Sequence, residues 1–270
     1  MLRTLFRRPV ETGPAEPAVA GQYPRVPPGV CVYAIGDIHG RADLLEDLHR
    51  IIAEDAEQLT PGTDKLVIYL GDYVDRGLES RQVIEILLHD QLPGFQAVHL
   101  MGNRDAWLLS FLIDAQVGPS WLRYGGDVTL FSYGVRVSQD EDDPKSFEML
   151  QTALRAKIPQ DHVDFLRHLE LSFQTGDYLF VHAGIRPGVP IAQQMADDVL
   201  WIREPFLSWK QDFGKIIVHG HTIEPEPVIR RNRIGIDTGA CYTGRLTCLV
   251  LEEGNRRFLA TAEGPAPPGS

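Results

Sequence analysis

The chain has 270 residues, of which 43% are hydrophobic and 23% charged, enough for a full-sized core in an ordinary globular protein. Its net charge of −11 excludes a partner held by its phosphate backbone, since nucleic-acid binding rests on clustered Lys and Arg. The same acidity leaves a small phosphorylated substrate open, because bound dications reverse the field locally.

Residues 1 to about 28 are rich in Pro, Gly, Ala and Glu and read as a disordered tail. They lack the apolar stretch of a secretory signal. Val30–Ile35 is a strand-like run ending at Gly36-Asp37-Ile38-His39-Gly40, and Ala42 to Leu59 carries Leu44, Leu45, Leu48, Ile51 and Ile52 on one helical face. A second strand, Leu66–Leu70, ends at Gly71-Asp72-Tyr73-Val74-Asp75-Arg76-Gly77, and a helix follows from about Ser80 to His89. A third strand, Gln96–Met101, ends at Gly102-Asn103-Arg104-Asp105, where another helix starts. The alternation predicts α/β architecture with right-handed crossovers. Each polar signature sits where the carboxyl ends of strands line a ligand crevice.

From about Ser110 to Leu171 the chain reads as mostly helical, with an acidic stretch around Glu141–Asp143 taken as a solvated loop. Strands return at Tyr178–Val181, before His182-Ala183-Gly184, and at Lys215–Val218, before His219-Gly220-His221-Thr222. Arg233–Ile236, Leu246–Leu251 and Arg256–Ala260 close the fold, the last two split by a Gly254-Asn255 hairpin signal. Glu263–Ser270 resembles the first tail, which leaves 29–262 as one catalytic domain. No run approaches the ~20 apolar residues that cross a bilayer. Cys31, Cys241 and Cys248 form no spaced framework. A cytoplasmic protein with reduced thiols is expected.

The strand ends together offer Asp37, His39, Asp72, Asn103, His182 and His221. Carboxylate, imidazole and amide oxygen suit divalent first-row metals, and one carboxylate can bridge two ions that activate a water between them. The runs GDIHG, GDYVDRG, GN, VHAG and GHT resemble, in order and spacing over residues 30 to 250, the calcineurin-like metallophosphoesterase superfamily. The intact GDYVDRG is similar to its phosphoprotein phosphatase branch of small bacterial and phage serine/threonine phosphatases. That resemblance implies a central β-sandwich of mixed sheets flanked by helices. It implies Asp37 and His39 on a first metal, Asp72 bridging, and Asn103, His182 and His221 on the second. Manganese is favoured, with iron or zinc as alternatives. Arg76 and Arg203 match the phosphate-gripping arginines.

One departure stands out. The family reads GNHE, in which the His pairs with the second Asp of VDRG and protonates the leaving oxygen, whereas here Arg104 faces that role opposite Asp75. Arginine stays charged and donates protons poorly, so an ion pair between Asp75 and Arg104 is expected, with seryl leaving groups more affected than aryl ones. The resemblance implies a serine/threonine protein phosphatase attacking with a metal-bridged hydroxide. The alternatives are a symmetrical dinucleoside tetraphosphate hydrolase, or a phosphate-binding pseudophosphatase. Partners would be a phosphorylated protein or a small phosphoester, with no nucleic acid or membrane. His49 and His99 read as core or surface residues, and His219 as a neighbour of the ligands.

Overall fold

In the computed structural model, residues 24–89, 92–137 and 144–262 are described. Most of both predicted tails and the Glu141–Asp143 loop lie outside them. The strands β1 (Val30–Ile35), β2 (Asp64–Tyr69) and β3 (Phe95–His99) pair in parallel. The crossovers are helices α1 (Ala42–Ala56) and α2 (Ser80–His89). After β3 come α3 (Asn103–Ile113), α4 (Gly118–Trp121), α5 (Asp127–Ser132), α6 (Pro144–Lys157) and α7 (Gln160–Arg167). A second group follows: β4 (Ser172–Thr175), β5 (Tyr178–Val181), α8 (Ala196–Trp201), β6 (Ile216–His219), β7 (Val228–Ile229) and β8 (Arg233–Gly235). The chain then forms α9 (Ala240–Thr243), β9 (Thr247–Glu252) and β10 (Asn255–Ala260).

The strands make two mixed five-stranded sheets, ordered β10-β9-β1-β2-β3 and β4-β5-β6-β8-β7. Strand periodicity explains how they stack. Val32 and Ala34 of β1, with Leu66 and Ile68 of β2, share one apolar cluster with Phe180, Val218 and Ile234 of the other sheet. Cys31, Tyr33 and Ile35 point the other way, onto Leu45, Leu48, Val83 and Ile84 of the helices. Leu179, Val181 and Ile217 likewise turn outward, toward Val199 and Phe206. Both faces of the central strands are buried, which is why they read as continuous apolar runs. The fold is therefore the expected α/β sandwich of mixed sheets flanked by helices. Among the described residues, no helix is long and apolar enough to cross a membrane.

The differences from the sequence reading are local. Helix α1 stops at Ala56, where tighter bonds from Gln58 N–H to Asp55 O and Leu59 N–H to Ala56 O end the last turn. Strand β3 ends at His99, because Leu100 and Met101 turn to pair with Glu170. The hairpin reverses over Glu253 and Gly254, with Asn255 already paired to Glu252.

Candidate metal centre

The parallel strands β1, β2, β5 and β6 deliver their carboxyl ends to one place, and the short link after β3 adds the first turn of α3. Among the described residues, six non-glycine positions have positive φ. Five of them are His39 (49°), Asp72 (53°), Asp75 (72°), Arg76 (72°) and His221 (62°), all named above as site residues. Such backbone costs about 1–3 kcal/mol per residue and persists where function requires it. The motif glycines have a matching steric reason. A Cβ at Gly102 would lie 2.1 Å from the Asp72 nitrogen, and one at Gly220 would lie 2.0 Å from Asp37 Oδ1.

Asp72 is the centre of the arrangement. Its Oδ2 lies 3.5 Å from His39 Nε2, and its Oδ1 lies 3.5 Å from His182 Nε2. Two groups of potential ligand atoms result, Asp37–His39–Asp72 and Asp72–His182–His221, which share only Asp72. Asn103 joins the second group, its Oδ1 lying 2.9 Å from His182 Nε2 and 3.0 Å from His221 Nδ1.

The donor chemistry fits cations. His39 and His182 direct Nδ1 at the carbonyl oxygens of Val74 (3.0 Å) and Leu70 (2.9 Å), so Nδ1 carries the proton and Nε2 turns a lone pair inward. Burial, as the main cause, lowers His39 to about 3 and His221 to about 2, so both rings are neutral, as ligands must be. Around His182 Nε2 the facing atoms, Asn103 Oδ1 and Asp72 Oδ1, are acceptors as well. Burial, then the charges of Asp237 and Asp72, push Asp37 well above the ordinary carboxylate range. Converging lone pairs and crowded carboxylates are relieved by positive charge, and this set fits two divalent cations. His219 belongs to neither group of ligand atoms. It is buried edge-on against Phe206, its Nδ1 3.1 Å from Gly220 O.

The expected ion pair between Asp75 and Arg104 does not form. Asp75 is fully buried, and its carboxylate accepts bonds from Trp121 Nε1 (3.0 Å) and Thr129 Oγ1 (2.7 Å). Two neutral donors from α4 and α5 have taken the place of a charged one. Burial pushes Asp75 up to about 7 against those bonds and the nearby Arg104 charge. Arg104 instead donates Nη1–H to Tyr124 O (3.2 Å), and its guanidinium lies 4.9 Å from the Trp107 ring centre. Arg76 reaches back to His39 Nε2 with Nη1 (3.0 Å). Arg203 is tied to the GHT loop through Thr222 Oγ1 (3.0 Å) and His221 O (3.1 Å).

Two sets of residues escaped the sequence reading. Asp105 accepts backbone N–H bonds from Asp72, Tyr73 and Gly102 at 2.8, 3.0 and 2.9 Å, so it holds the loop that presents Asp72. Its only sequence signal was its place inside the GNRD run. Trp107, Tyr124 and Trp201 gather beside Arg104 and His221. They come from separate segments and carried no local signal.

The mixed-sheet sandwich with paired ligand groups at its strand ends defines a metal-dependent phosphoesterase, and the chain belongs to the calcineurin-like phosphoesterase family, whose model matches residues 32–244. It is 28% identical over 237 residues to an asymmetrical bis(5′-nucleosyl)-tetraphosphatase of Anoxybacillus flavithermus, covering 81% of this chain and 89% of the relative. It is 27% identical over 231 residues to serine/threonine-protein phosphatase 2 of Escherichia coli, covering 80% and 90%. A crystal structure provisionally assigned as a diadenosine tetraphosphatase superposes with a TM-score of 0.60 at 23% identity, over 90% of this chain and all of the other.

Proposed function

We propose that the chain is a metal-dependent phosphoester hydrolase working by direct attack of water, without a phosphoenzyme. The observation that carries this reading is Asp72, whose two oxygens face separate histidines, with neutral lone pairs converging on each side. Two divalent cations, when bound, supply an activated water and charge that polarises the phosphoryl group. Asp37 and His39 would hold one, Asn103, His182 and His221 the other, and Asp72 both.

The protein's own contribution is a grip of guanidinium groups. Arg76 and Arg203 border the two ligand groups and are suited to bidentate contact with phosphoryl oxygens. Together with Arg104 they make three arginines that form no ion pair with any carboxylate among the described residues. Their charge remains available to an anionic substrate.

The leaving-group side supports one substrate class over the other. Asp75 is enclosed by Trp121 and Thr129, and Arg104 is a fixed cation that does not give up a proton. A seryl alkoxide needs a proton as its bond to phosphorus breaks, whereas a departing phosphate is already a stable anion that a guanidinium stabilises. This favours a phosphoanhydride of the dinucleoside polyphosphate type. Phosphoseryl and phosphothreonyl proteins are the second reading, supported by the intact GDYVDRG run and the likeness to phosphatase 2. The test is kcat/KM of manganese-reconstituted protein on diadenosine tetraphosphate, nitrophenyl phosphate and a phosphoseryl peptide. The first two should turn over, with the peptide slower by about 100-fold or more. A peptide as fast as the anhydride would refute the leaving-group argument. No turnover of any substrate at full metal content would leave a phosphate-binding module.

A further inference from the structure

A chain of aromatic rings leads from the candidate metal ligands to solvent. The Trp201 ring lies 6.4 Å from that of His221, Trp107 4.8 Å from Trp201, and Tyr124 5.6 Å from Trp107, the last pair within 28° of parallel. The outer rings are open, with Tyr124 54% and Trp201 38% exposed. Large rings left in water beside a polar site are surface reserved for a ligand.

The ledge is fixed in place by the phosphate-binding side of the site. Arg104 lies against both rings, 4.9 Å from the centre of Trp107 and 5.6 Å from that of Tyr124, and donates to the Tyr124 carbonyl. The next residue, Gly125, at φ +103°, accepts the backbone N–H of Arg76 at 3.2 Å. Trp107 sits one turn along α3 from Asn103. A phosphate held at the centre would therefore have its substituent delivered to a rigid, partly exposed aromatic surface edged by cations. Mere packing of helices does not require rings left this open.

We propose that Trp107, Tyr124 and Trp201 form a stacking platform for a nucleobase of the substrate, with Arg104 between base and phosphates as the residue that ties the two recognition elements together. The proposal rests on the phosphoanhydride reading for its substrate class. Charge selects the base over other planar groups. Three arginines that form no ion pair among the described residues fit a ligand that carries several phosphates together with its ring, which a phenyl monoester does not.

The test compares two unreactive ligands of equal charge, the methyl and the adenosine 5′-monoesters of methylenediphosphonate. Both are titrated calorimetrically into manganese-loaded protein, with phenylphosphonate as a third arm. The adenosine ester should bind at least about ten-fold tighter than the methyl ester, a difference of about 1.4 kcal/mol and within the reach of one stacked base. Trp201→Ala and Tyr124→Ala, two exposed positions on different segments, should each bring that ratio toward one, and the ester should quench tryptophan fluorescence in the unaltered protein. Equal affinities for the first two ligands, a ratio unchanged in both variants, or phenylphosphonate binding as tightly as the ester would overturn the platform. A protein that prefers the adenosine ester yet hydrolyses nothing contradicts the hydrolase reading alone. One that hydrolyses diadenosine tetraphosphate without any adenosine preference contradicts the platform alone.

Discussion

Arg104 is the residue on which the proposed substrate class rests. It occupies the place where the family resemblance implies an imidazole, yet it engages Tyr124 and Trp107 and leaves Asp75 to Trp121 and Thr129. An imidazole substituted there would find no free carboxylate to orient it. Arg104→His is accordingly expected to lower kcat/KM on diadenosine tetraphosphate by about ten-fold or more, through loss of a fixed charge on the departing phosphate. It should leave phosphoseryl turnover without a gain. Steady-state rates on both substrates at matched metal content check this, and a selective gain on the phosphoseryl peptide would mean that the acid dyad can reform. The convergence of Asp37, His39, Asp72, Asn103, His182 and His221 was legible from sequence because each closes a strand-like run inside a motif that resembles the family pattern. The partners of Asp75 were not, because Trp121 and Thr129 lie 46 and 54 residues further along, with no local pattern tying them to it.

Helix α3 is the element that couples fold to site. Its first residue is Asn103, its second donates a backbone N–H to Asp72 Oδ1 at 2.9 Å, and its third is Asp105. The central carboxylate thus caps the helix that supplies one of its fellow ligands, where the positive end of the helix favours it. Asp105 completes the arrangement from the other side, holding the N–H groups of Asp72, Tyr73 and Gly102. Asp105→Ala leaves three buried donors without a partner, which is expected to cost about 3 kcal/mol or more. Metal affinity should fall as well, because Asp72 loses its support. Urea denaturation of metal-free protein reads the first effect and calorimetric metal titration the second. A variant as stable as the parent would show that water replaces the carboxylate. At this scale the long helices and buried strands were readable from their periods. The short β4, β7 and α9 were not, since two to four residues span less than one reliable repeat.

At the scale of the whole molecule, two mixed sheets share one apolar interface and bury both faces of their central strands. Titratable rings are caught in this packing away from the candidate metal centre. His49 lies 2.8 Å from the Tyr69 hydroxyl and His99 stacks on the Tyr69 ring at 4.9 Å, and burial lowers both to about 4. A histidine depressed below its ordinary value of 6.5 supports the fold above pH 6.5, and that support is lost as pH falls toward 4. Metal-free protein should therefore lose stability across that window, and His49→Gln should flatten the dependence by up to about 1.4 kcal/mol per pH unit. Parallel slopes in denaturant midpoints would show that His49 charges freely in the folded state. The α/β alternation was legible from the order of strands and the sandwich from the family resemblance of the signatures, whereas the aromatic ledge, assembled from α3, the turn before α5 and the end of α8, exists only once the chain has folded. That Asp72 joins two cation sites is tested by elemental analysis of manganese-reconstituted protein beside its Asp72→Asn variant. Two ions per chain are expected in the parent, with loss or weakening of both in the variant and the folded spectrum retained. One ion or none in the parent, or two held undiminished by Asp72→Asn, would contradict it.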